Sequence, residues 1–139
     1  RPVVLCGRNE RLRLRLNAVE GCTALGWRED LPAIFSVAGA LVDNAGGTTC
    51  AEAFAAGLPV IGADPIAGHG RLGQSALIRA GLVADGRRDL AAVVNTVCGP
   101  ADASSEQRRR ARAMFRADPA DSLVRWLADR TTLGQHLAS

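Results

Sequence analysis

The stretch Asn44-Ala-Gly-Gly-Thr-Thr-Cys-Ala-Glu-Ala-Phe-Ala-Ala-Gly-Leu-Pro59 predicts a glycine turn followed by an alanine-rich helix. The apolar run 40–42 before it suits a short buried strand, and Gly57 with Pro59 ends the helix and leads into the next strand. The first turn of a helix has amides without intrahelical partners and the positive end of the helix dipole. This stretch therefore predicts an anion site, suited to a diphosphate, between a strand end and a helix start.

Glu52 lies one turn into this helix, and two interpretations of it are open. Its side chain is directed back toward the helix start, where a carboxylate can accept hydrogen bonds from ribose hydroxyls. The sequence Thr49-Cys-Ala-Glu52 also fits a capping box, in which Glu52 only bonds a backbone amide.

Composition bounds the class of protein. A chain of 139 residues with 47% hydrophobic residues is large enough for one globular domain with a core. No apolar run approaches the roughly 20 residues that span a bilayer. A net charge of +3 and 4% aromatics, with no tyrosine, give no indication of a nucleic-acid partner.

The four cysteines, Cys6, Cys22, Cys50 and Cys98, have the spacing of neither a metal site nor a disulfide framework. We expect reduced, buried thiols, no metal and a cytoplasmic protein, with a peripheral position on the inner face of the membrane as an open alternative.

Strand and helix signals alternate along the chain, which favours an α/β domain with a parallel sheet. The predicted strands are 3–6, 22–25, 40–43, 59–63 and 82–84. The predicted helices are 10–19, a short one after Asp30, 48–56, 74–80, 89–97, 106–115 and 120–128. The polar stretch 64–73 is predicted to be a loop of the kind that carries function. We assign residues 1–103 to the α/β domain and residues 104–139 to helices packed on it.

The predicted helix 106–115 carries the run Arg108-Arg-Arg-Ala-Arg112. Such a run can contact anionic lipid headgroups or a partner domain, or it can be an ordinary solvated face. Both interpretations stay open at this stage.

Five segments in order resemble the donor-binding C-terminal domain of GT-B glycosyltransferases. They are Val4-Leu-Cys-Gly-Arg-Asn9, Leu25-Gly-Trp-Arg-Glu-Asp-Leu-Pro32, Asn44-Ala-Gly-Gly-Thr-Thr-Cys-Ala-Glu52, Ala56-Gly-Leu-Pro59 and Asp64-Pro-Ile-Ala-Gly-His69. The likeness is to the family 28 type, the group with the lipid II-forming GlcNAc transferase and the diacylglycerol galactosyl- and glucosyltransferases.

The resemblance implies a doubly wound parallel sheet, the Rossmann-like half of a GT-B fold, with a UDP-sugar substrate at the carboxyl ends of the strands and no cofactor or metal. The implied donor-binding residues are Arg8 at the rim, Trp27 and Arg28 beside the uracil, Gly46, Gly47, Thr48 and Thr49 around the diphosphate, Glu52 at the ribose, and Gly68, His69, Gly70, Arg71 and Gln74 near the sugar and distal phosphate.

Two of these assignments have open alternatives. Arg8 can equally be a solvated loop residue, and His69 can donate to a phosphate or merely cap the next helix. Relatives place Gln or Glu where this chain has His69 and Gly70, so the sugar is left open.

The implied reaction is inverting transfer of a hexose or N-acetylhexosamine to a lipid-linked or other acceptor, with the helix dipole and amides stabilising the departing UDP. The general base would come from an N-terminal domain, so we expect no catalytic residue in this chain and no activity from it alone. Alternatives are a non-catalytic nucleotide-sugar-binding subunit of a two-chain transferase and a UDP-sugar epimerase-like domain. A Rossmann dehydrogenase is disfavoured, since no Gly-x-Gly-x-x-Gly follows the first predicted strand.

The resemblance also implies a strand and a helix that would precede the Val4 segment, and a start at Arg1-Pro2 leads us to expect excision from a longer protein. The absent strand would lie in the sheet between strands 3–6 and 40–43. We expect a neighbouring chain or an upstream segment to fill this position, or the chain to cover its edge by swapping or by an edge-pairing dimer. The missing N-terminal acceptor domain or a partner chain and an anionic membrane surface are further expected partners.

Overall fold

The structure is a computed structural model that describes residues 1–100, 104–115, 118, 120, 121 and 123–128. It divides into two compact units, Arg1–Val37 and Ala38–Ser139. Both contain helices alternating with parallel strands, so the predicted α/β class is confirmed and each small sheet fits a Rossmann-like half-domain. The assigned division at residues 103 and 104 stays a prediction.

The first unit is a two-stranded parallel sheet with two helices. Its elements are β1 (Val3–Leu5), α1 (Glu10–Asn17), β2 (Thr23–Leu25) and α2 (Leu31–Val37). Val4 pairs with Ala24 in the register of the two strands. The backbone amide of Cys6 extends the ladder by donating to Leu25 O at 2.8 Å.

Two asparagines fix helix α1 in this unit. Asn9 caps its start, with Oδ1 accepting from the Leu12 amide at 3.0 Å. Asn17 at its end bonds both backbone groups of Ala24 in β2, accepting from the amide at 2.7 Å and donating to the carbonyl at 3.1 Å. The helix is thus joined to the sheet through side-chain to backbone hydrogen bonds, although none of its residues is buried.

The second unit contains a three-stranded parallel sheet in the order β3-β4-β5. Its elements are β3 (Leu41–Asp43), α3 (Thr48–Ala55), β4 (Val60–Gly62), α4 (His69–Arg79), β5 (Ala84–Asp85), α5 (Leu90–Val97) and α6 (Ser105–Ala113). Asp43 is in register with Gly62, and Gly62 with Asp85. The carboxyl ends of all three strands therefore meet at one edge of the sheet.

The central strand β4 and helix α3 supply the core of this unit. Val60, Ile61 and Ala53 are completely buried, and Phe54 is nearly so. Helix α6 packs against α3. The Nε2 atom of Gln107 in α6 donates to Val60 O at 2.6 Å and to Leu82 O at 2.8 Å, so one side chain bridges the segments that lead into β4 and β5.

The arginine run of α6 makes internal contacts. Glu106 accepts hydrogen bonds from Arg109 and Arg110 at 2.6–2.7 Å. These bonds lower the pKa of Glu106 to about 2, and the bond from Arg109 contributes most. Arg110 also donates to Ala80 O, at the end of α4, at 3.2 Å. Two of the arginines thus have partners within the unit, while contact with lipid stays a prediction.

Helix α4 begins at His69 and not at Gln74, so the predicted loop 64–73 is wrong over its second half. The physical reason lies in close packing. Gly70 and Gly73 belong to the helix, and a methyl group at Gly70 would come within 3.1 Å of Ile66 Cβ. A methyl group at Gly46 would come within 2.9 Å of the Gln74 amide nitrogen, so Gly46 permits the turn after β3 to approach helix α4. A sequence pattern does not distinguish such packing glycines from loop signals.

Other predicted elements stand closer to the structure. The strand predicted at 82–84 forms at Ala84–Asp85, and residues 120, 121 and 123–128 are helical as predicted. The predicted connector at 99–104 falls mostly outside the described residues, which omit 101–103. All four cysteines are free, but only Cys6 and Cys50 are buried, and Cys98 is exposed.

Strands β1 and β3 each have one strand neighbour among the described residues. On β3 the side chain of Val42 is 47% exposed, whereas its register partner Ile61 is completely buried. The predicted filling of this edge by another strand stays a prediction. No described helix is long and apolar enough to cross a bilayer.

Candidate functional site

The turn between β3 and α3 has the form that the sequence predicts. Gly46 adopts a left-handed conformation with φ +68°, which favours glycine. Gly47 is the N-cap residue of α3, and no side chain caps this helix. The capping box with Thr49 and Glu52 is therefore not formed, and that alternative for Glu52 is wrong.

Three consecutive amides at this helix start are open. Within the part of the chain that the structure describes, the backbone N–H groups of Gly47, Thr48 and Thr49 donate to no protein acceptor. Gly47 and Thr48 are also exposed to solvent. Amides in this arrangement, together with the positive end of the helix dipole, can hold an anion.

Glu52 lies on the next turn of the same helix and is exposed. None of the described residues donates a hydrogen bond to its carboxylate. The side chain is thus free to accept from a hydroxyl-bearing ligand.

Asp43, the last residue of β3, shapes the turn from inside. Its Oδ2 accepts from the amides of Ala45 at 2.9 Å and Gly46 at 2.6 Å. The amide of Gly46 is therefore already engaged, and the predicted diphosphate cradle has its open donors at Gly47, Thr48 and Thr49. The sequence interpretation missed Asp43, although an aspartate whose side chain bonds backbone two or three residues on is a common turn former.

The Cys50 thiol completes this cluster. It is buried in the first turn of α3, and burial together with a hydrogen bond to the Asp43 carboxylate raises its pKa from 9.0 to about 12. The group is therefore a neutral, buried thiol at physiological pH and not a nucleophile.

The start of helix α4 lies directly against the turn. A methyl group at Gly46 would be 2.9 Å from the amide nitrogen of Gln74, and one at Gly70 would be 3.7 Å from Ala45 Cα. The structure thus brings together residues that lie more than 20 positions apart in the sequence and that the resemblance assigned to one donor site.

Gln74 is buried inside the second unit and is not exposed as a side chain that contacts a ligand would be. It is only 1% exposed, and its Nε2 donates to the Asp43 carbonyl at 3.0 Å. Its Oε1 is buried and has no hydrogen-bond partner among the described residues. A methyl group at Gly62 would lie 2.7 Å from Gln74 Cδ, so glycine at the end of β4 makes room for this side chain.

The remaining predicted residues of this unit lie at or near the first turn of α4. Gly68 is the N-cap with φ +79°, and no side chain caps the helix, so the alternative in which His69 caps it is wrong. His69 and Arg71 are both exposed. Their side chains carry donors that a sugar or phosphate oxygen could accept from.

In the first unit the structure brings Arg8 and Trp27 together. The Arg8 guanidinium carbon lies 5.2 Å from the centre of the Trp27 ring, within the range of a cation–π contact. The indole is 63% exposed. Arg8 is thus held over an aromatic ring, which differs from a freely solvated loop residue.

Arg28 is occupied by a neighbour. It forms a bidentate pair with Asp30, with its Nε at 2.7 Å from Oδ1. Hydrogen bonding to Arg28 lowers the pKa of Asp30. Both side chains are partly exposed, and the pair engages the Arg28 guanidinium within the loop.

A separate cavity of about 490 Å³ lies at the carboxyl end of β5 and is lined by Asp85, Arg87 and Arg88. Arg87 pairs with Asp85 at 2.6–2.7 Å and lowers the pKa of that carboxyl to about 2. Two of the three charged side chains that line this cavity, Asp85 and Arg87, are thus paired with each other. Among the described residues no group of three or more His, Cys, Asp or Glu could hold a metal ion.

Comparison with known proteins gives one informative similarity. Over 72 residues the chain is 36% identical to the processive diacylglycerol beta-glucosyltransferase of Bacillus licheniformis. The matched region is 48% of this chain and 19% of that protein, so the chain spans about a fifth of the length of this curated relative. No protein-family model matches the chain. The similarity supports a relationship to glycosyltransferases at a coarse level.

Proposed function

We propose that the chain binds the UDP-sugar donor of an inverting glycosyltransferase. The observation that carries the proposal is the run of open amides at Gly47, Thr48 and Thr49, at the carboxyl edge of a parallel sheet. This is the edge at which doubly wound sheets bind nucleotides. Similarity to a beta-glucosyltransferase supports transfer of a hexose or N-acetylhexosamine to a lipid-linked or other acceptor.

In this proposal the helix start acts on the leaving group. An acceptor hydroxyl attacks the anomeric carbon, the bond from that carbon to the diphosphate oxygen breaks, and negative charge grows on UDP. The open amides and the dipole of α3 stabilise that charge without having to reorganise. Glu52 accepts from the ribose hydroxyls, and the exposed His69 and Arg71 bind the sugar or distal phosphate.

The residues that the resemblance assigns to the uracil lie in the first unit. Trp27 is largely exposed and precedes Arg28, which pairs with Asp30. We propose that the uracil borders Trp27 and the main chain of Arg28, with Arg8 at the rim.

The general base and the acceptor site belong, in this proposal, to a second component. The exposed Val42 and the open edge of β3 support strand addition there, by another segment, a partner chain or a second copy. An anionic membrane surface is a further proposed partner, through the arginines of α6. Cytoplasmic location is part of the same proposal.

Titration of the chain with UDP, UDP-glucose, UDP-galactose and UDP-GlcNAc by calorimetry tests the proposal. We expect UDP to carry most of the affinity and the four ligands to rank by sugar. Gly47→Ala is the matched perturbation, because a methyl group there meets no protein atom within 4 Å and adds bulk at the residue that carries the first open amide. It should weaken UDP by roughly tenfold or more, the value of one or two hydrogen bonds to a charged group.

Absence of UDP binding by the folded chain would reject the proposal. The epimerase alternative is tested in the same samples by NMR of UDP-GlcNAc, since an epimerase would generate a second sugar configuration with no acceptor present. Signals of one configuration only, with UDP bound, favour the transferase donor site.

A further inference from the structure

The carboxylate of Asp43 divides the amides around the β3–α3 turn into two sets. Ala45 and Gly46 donate inward to Oδ2 at 2.9 and 2.6 Å. The next three amides, of residues 47–49, have no acceptor within the described chain. Gly46, with φ +68°, is the residue at which the chain passes from one set to the other.

Asp43 itself is fixed by the neighbouring elements. Its carbonyl oxygen accepts from the Ala63 amide after β4 at 3.0 Å and from Gln74 Nε2 of α4 at 3.0 Å. The buried Cys50 thiol of α3 lies beside its carboxylate, which raises the pKa of that thiol. Contacts from three elements therefore hold the acceptor that orients the turn.

We infer that Asp43 is a positioning residue for a nucleoside diphosphate: it holds the turn so that the three open amides already converge when the ligand arrives. The inference rests on the proposed function and deepens it. Preorganised donors bind more tightly because the conformational entropy of the loop is not lost on binding. Asp43 touches the amides of the turn and not the ligand.

A carboxylate close to an anion site also repels the anion, so the hydrogen bonds and the charge act in opposite directions. Asp43→Asn keeps an oxygen acceptor for the two amides and removes the charge. Asp43→Ala removes both. Comparing the two substitutions isolates the hydrogen-bonding role.

The experiment titrates the full chain and both variants with UDP and with uridine, which lacks the diphosphate. For Asp43→Ala we expect UDP affinity to fall by about tenfold and uridine affinity to change by less than about twofold. For Asp43→Asn we expect UDP affinity within about threefold of the unsubstituted chain. Unchanged UDP affinity in Asp43→Ala, or equal losses for UDP and uridine, would overturn the inference.

Amide hydrogen exchange at Gly46, measured by NMR without ligand, separates this inference from the proposed function. We expect protection in the unsubstituted chain and faster exchange in Asp43→Ala. If the chain binds no UDP, the proposed function fails, and the turn-holding role is kept only if Gly46 shows this difference. If Asp43→Ala does not fold, Asp43→Asn decides, since a loss of UDP affinity beyond about tenfold with the acceptor retained would overturn the inference.

Discussion

Two eight-residue helices of the second unit follow strands of the same sheet but begin in different ways. Helix α5 starts after Asp89, whose Oδ1 accepts from the Ala92 amide at 2.9 Å. Helix α3 starts after Gly47, which has no side chain to accept, and its first amides are open. In α5 a carboxylate accepts from the third helical amide and places a negative charge at the helix start, whereas no side chain accepts from the first turn of α3.

The difference teaches where to look for a ligand. A glycine N-cap is only a few tenths of a kcal/mol less stable than a polar cap, because water reaches the open amides. A helix can therefore leave its first turn open at little cost in stability. In the first unit α1 follows the α5 pattern with Asn9 as its cap, whereas the glycine starts of α3 and α4 have no side-chain cap.

The largest expected effect comes from closing the turn sterically. Gly46→Ala should lower the free energy of unfolding by about 4 kcal/mol, the sum of a left-handed alanine and an overpacked contact. The new methyl group would lie 2.9 Å from the backbone nitrogen of Gln74, which cannot rotate away. Denaturant unfolding followed by circular dichroism measures this.

Gly47→Ala is the matched control in the adjacent position, since its methyl group meets nothing within 4 Å. We expect a change in stability below about 1 kcal/mol. Equal destabilisation by the two substitutions would show that α4 does not pack on the turn as described.

The next effect is the loss of stability at alkaline pH through Cys50. Its pKa is 9.0 in an ordinary environment and about 12 in the folded chain, so above pH 9.0 the unfolded chain loses a proton that the folded chain keeps. Stability is therefore full below pH 9.0 and falls as the pH rises toward about 12, by on the order of 2 kcal/mol or more. Urea unfolding across this window measures it.

The chain contains no lysine and no tyrosine, so few other groups titrate in this window. Cys50→Ala should flatten the decline with pH. Cys98→Ala, which removes an exposed thiol, should leave it unchanged. An identical slope in all three chains would contradict the assigned burial and hydrogen bond of Cys50.

A smaller effect is expected at Glu52, on binding only. Glu52→Ala should weaken UDP by about tenfold and 2′-deoxyuridine diphosphate by less, because only UDP presents the 2′-hydroxyl. Stability should change little, since the carboxylate is exposed and caps no helix. Calorimetric titration measures both affinities.

Glu20→Ala, which removes an exposed glutamate of the first unit, is the control and should leave both affinities unchanged. Equal weakening of the two nucleotides by Glu52→Ala would show that Glu52 does not bind the ribose 2′-hydroxyl.

The smallest effect is expected at the capped helix. Asp89→Ala should lower the free energy of unfolding by about 1 kcal/mol, the usual value of an N-cap. The affinity for UDP should not change, because the proposed diphosphate site lies at the start of α3 and not of α5. A loss of UDP affinity in this variant would contradict the assignment of the UDP site to the start of α3 rather than α5.

The sequence predicts most of the fold because its patterns are local. The strand, glycine turn and helix around residues 40–56 follow from an apolar run and two glycines, and the structure has β3, Gly46 and α3 there. The start of α4 is not predictable in this way. Gly70 and Gly73 look like loop signals, and only the structure shows that they lie within a helix, with Gly70 packed closely on Ile66.

In the candidate site, too, local features are predictable from the sequence and long-range packing is not. The open amides of residues 47–49 follow from the helix start alone, so they can be predicted. The buried position of Gln74 and the bond between Cys50 and Asp43 depend on packing between elements distant in sequence. The role of Asp43 is partly predictable. Its spacing from Ala45 and Gly46 indicates a turn, but the sequence does not show the hydrogen bond from Gln74 of α4 to its carbonyl oxygen.

The most direct test is a ¹⁵N NMR titration of the chain with UDP that compares the two helix starts. We predict that the amides of Gly47, Thr48 and Thr49 shift in a saturable manner while the amide of Ala92 in α5 stays in place. Equal shifts at both helix starts, or no shift at residues 47–49 in a folded sample, would contradict a diphosphate site at the open start of α3.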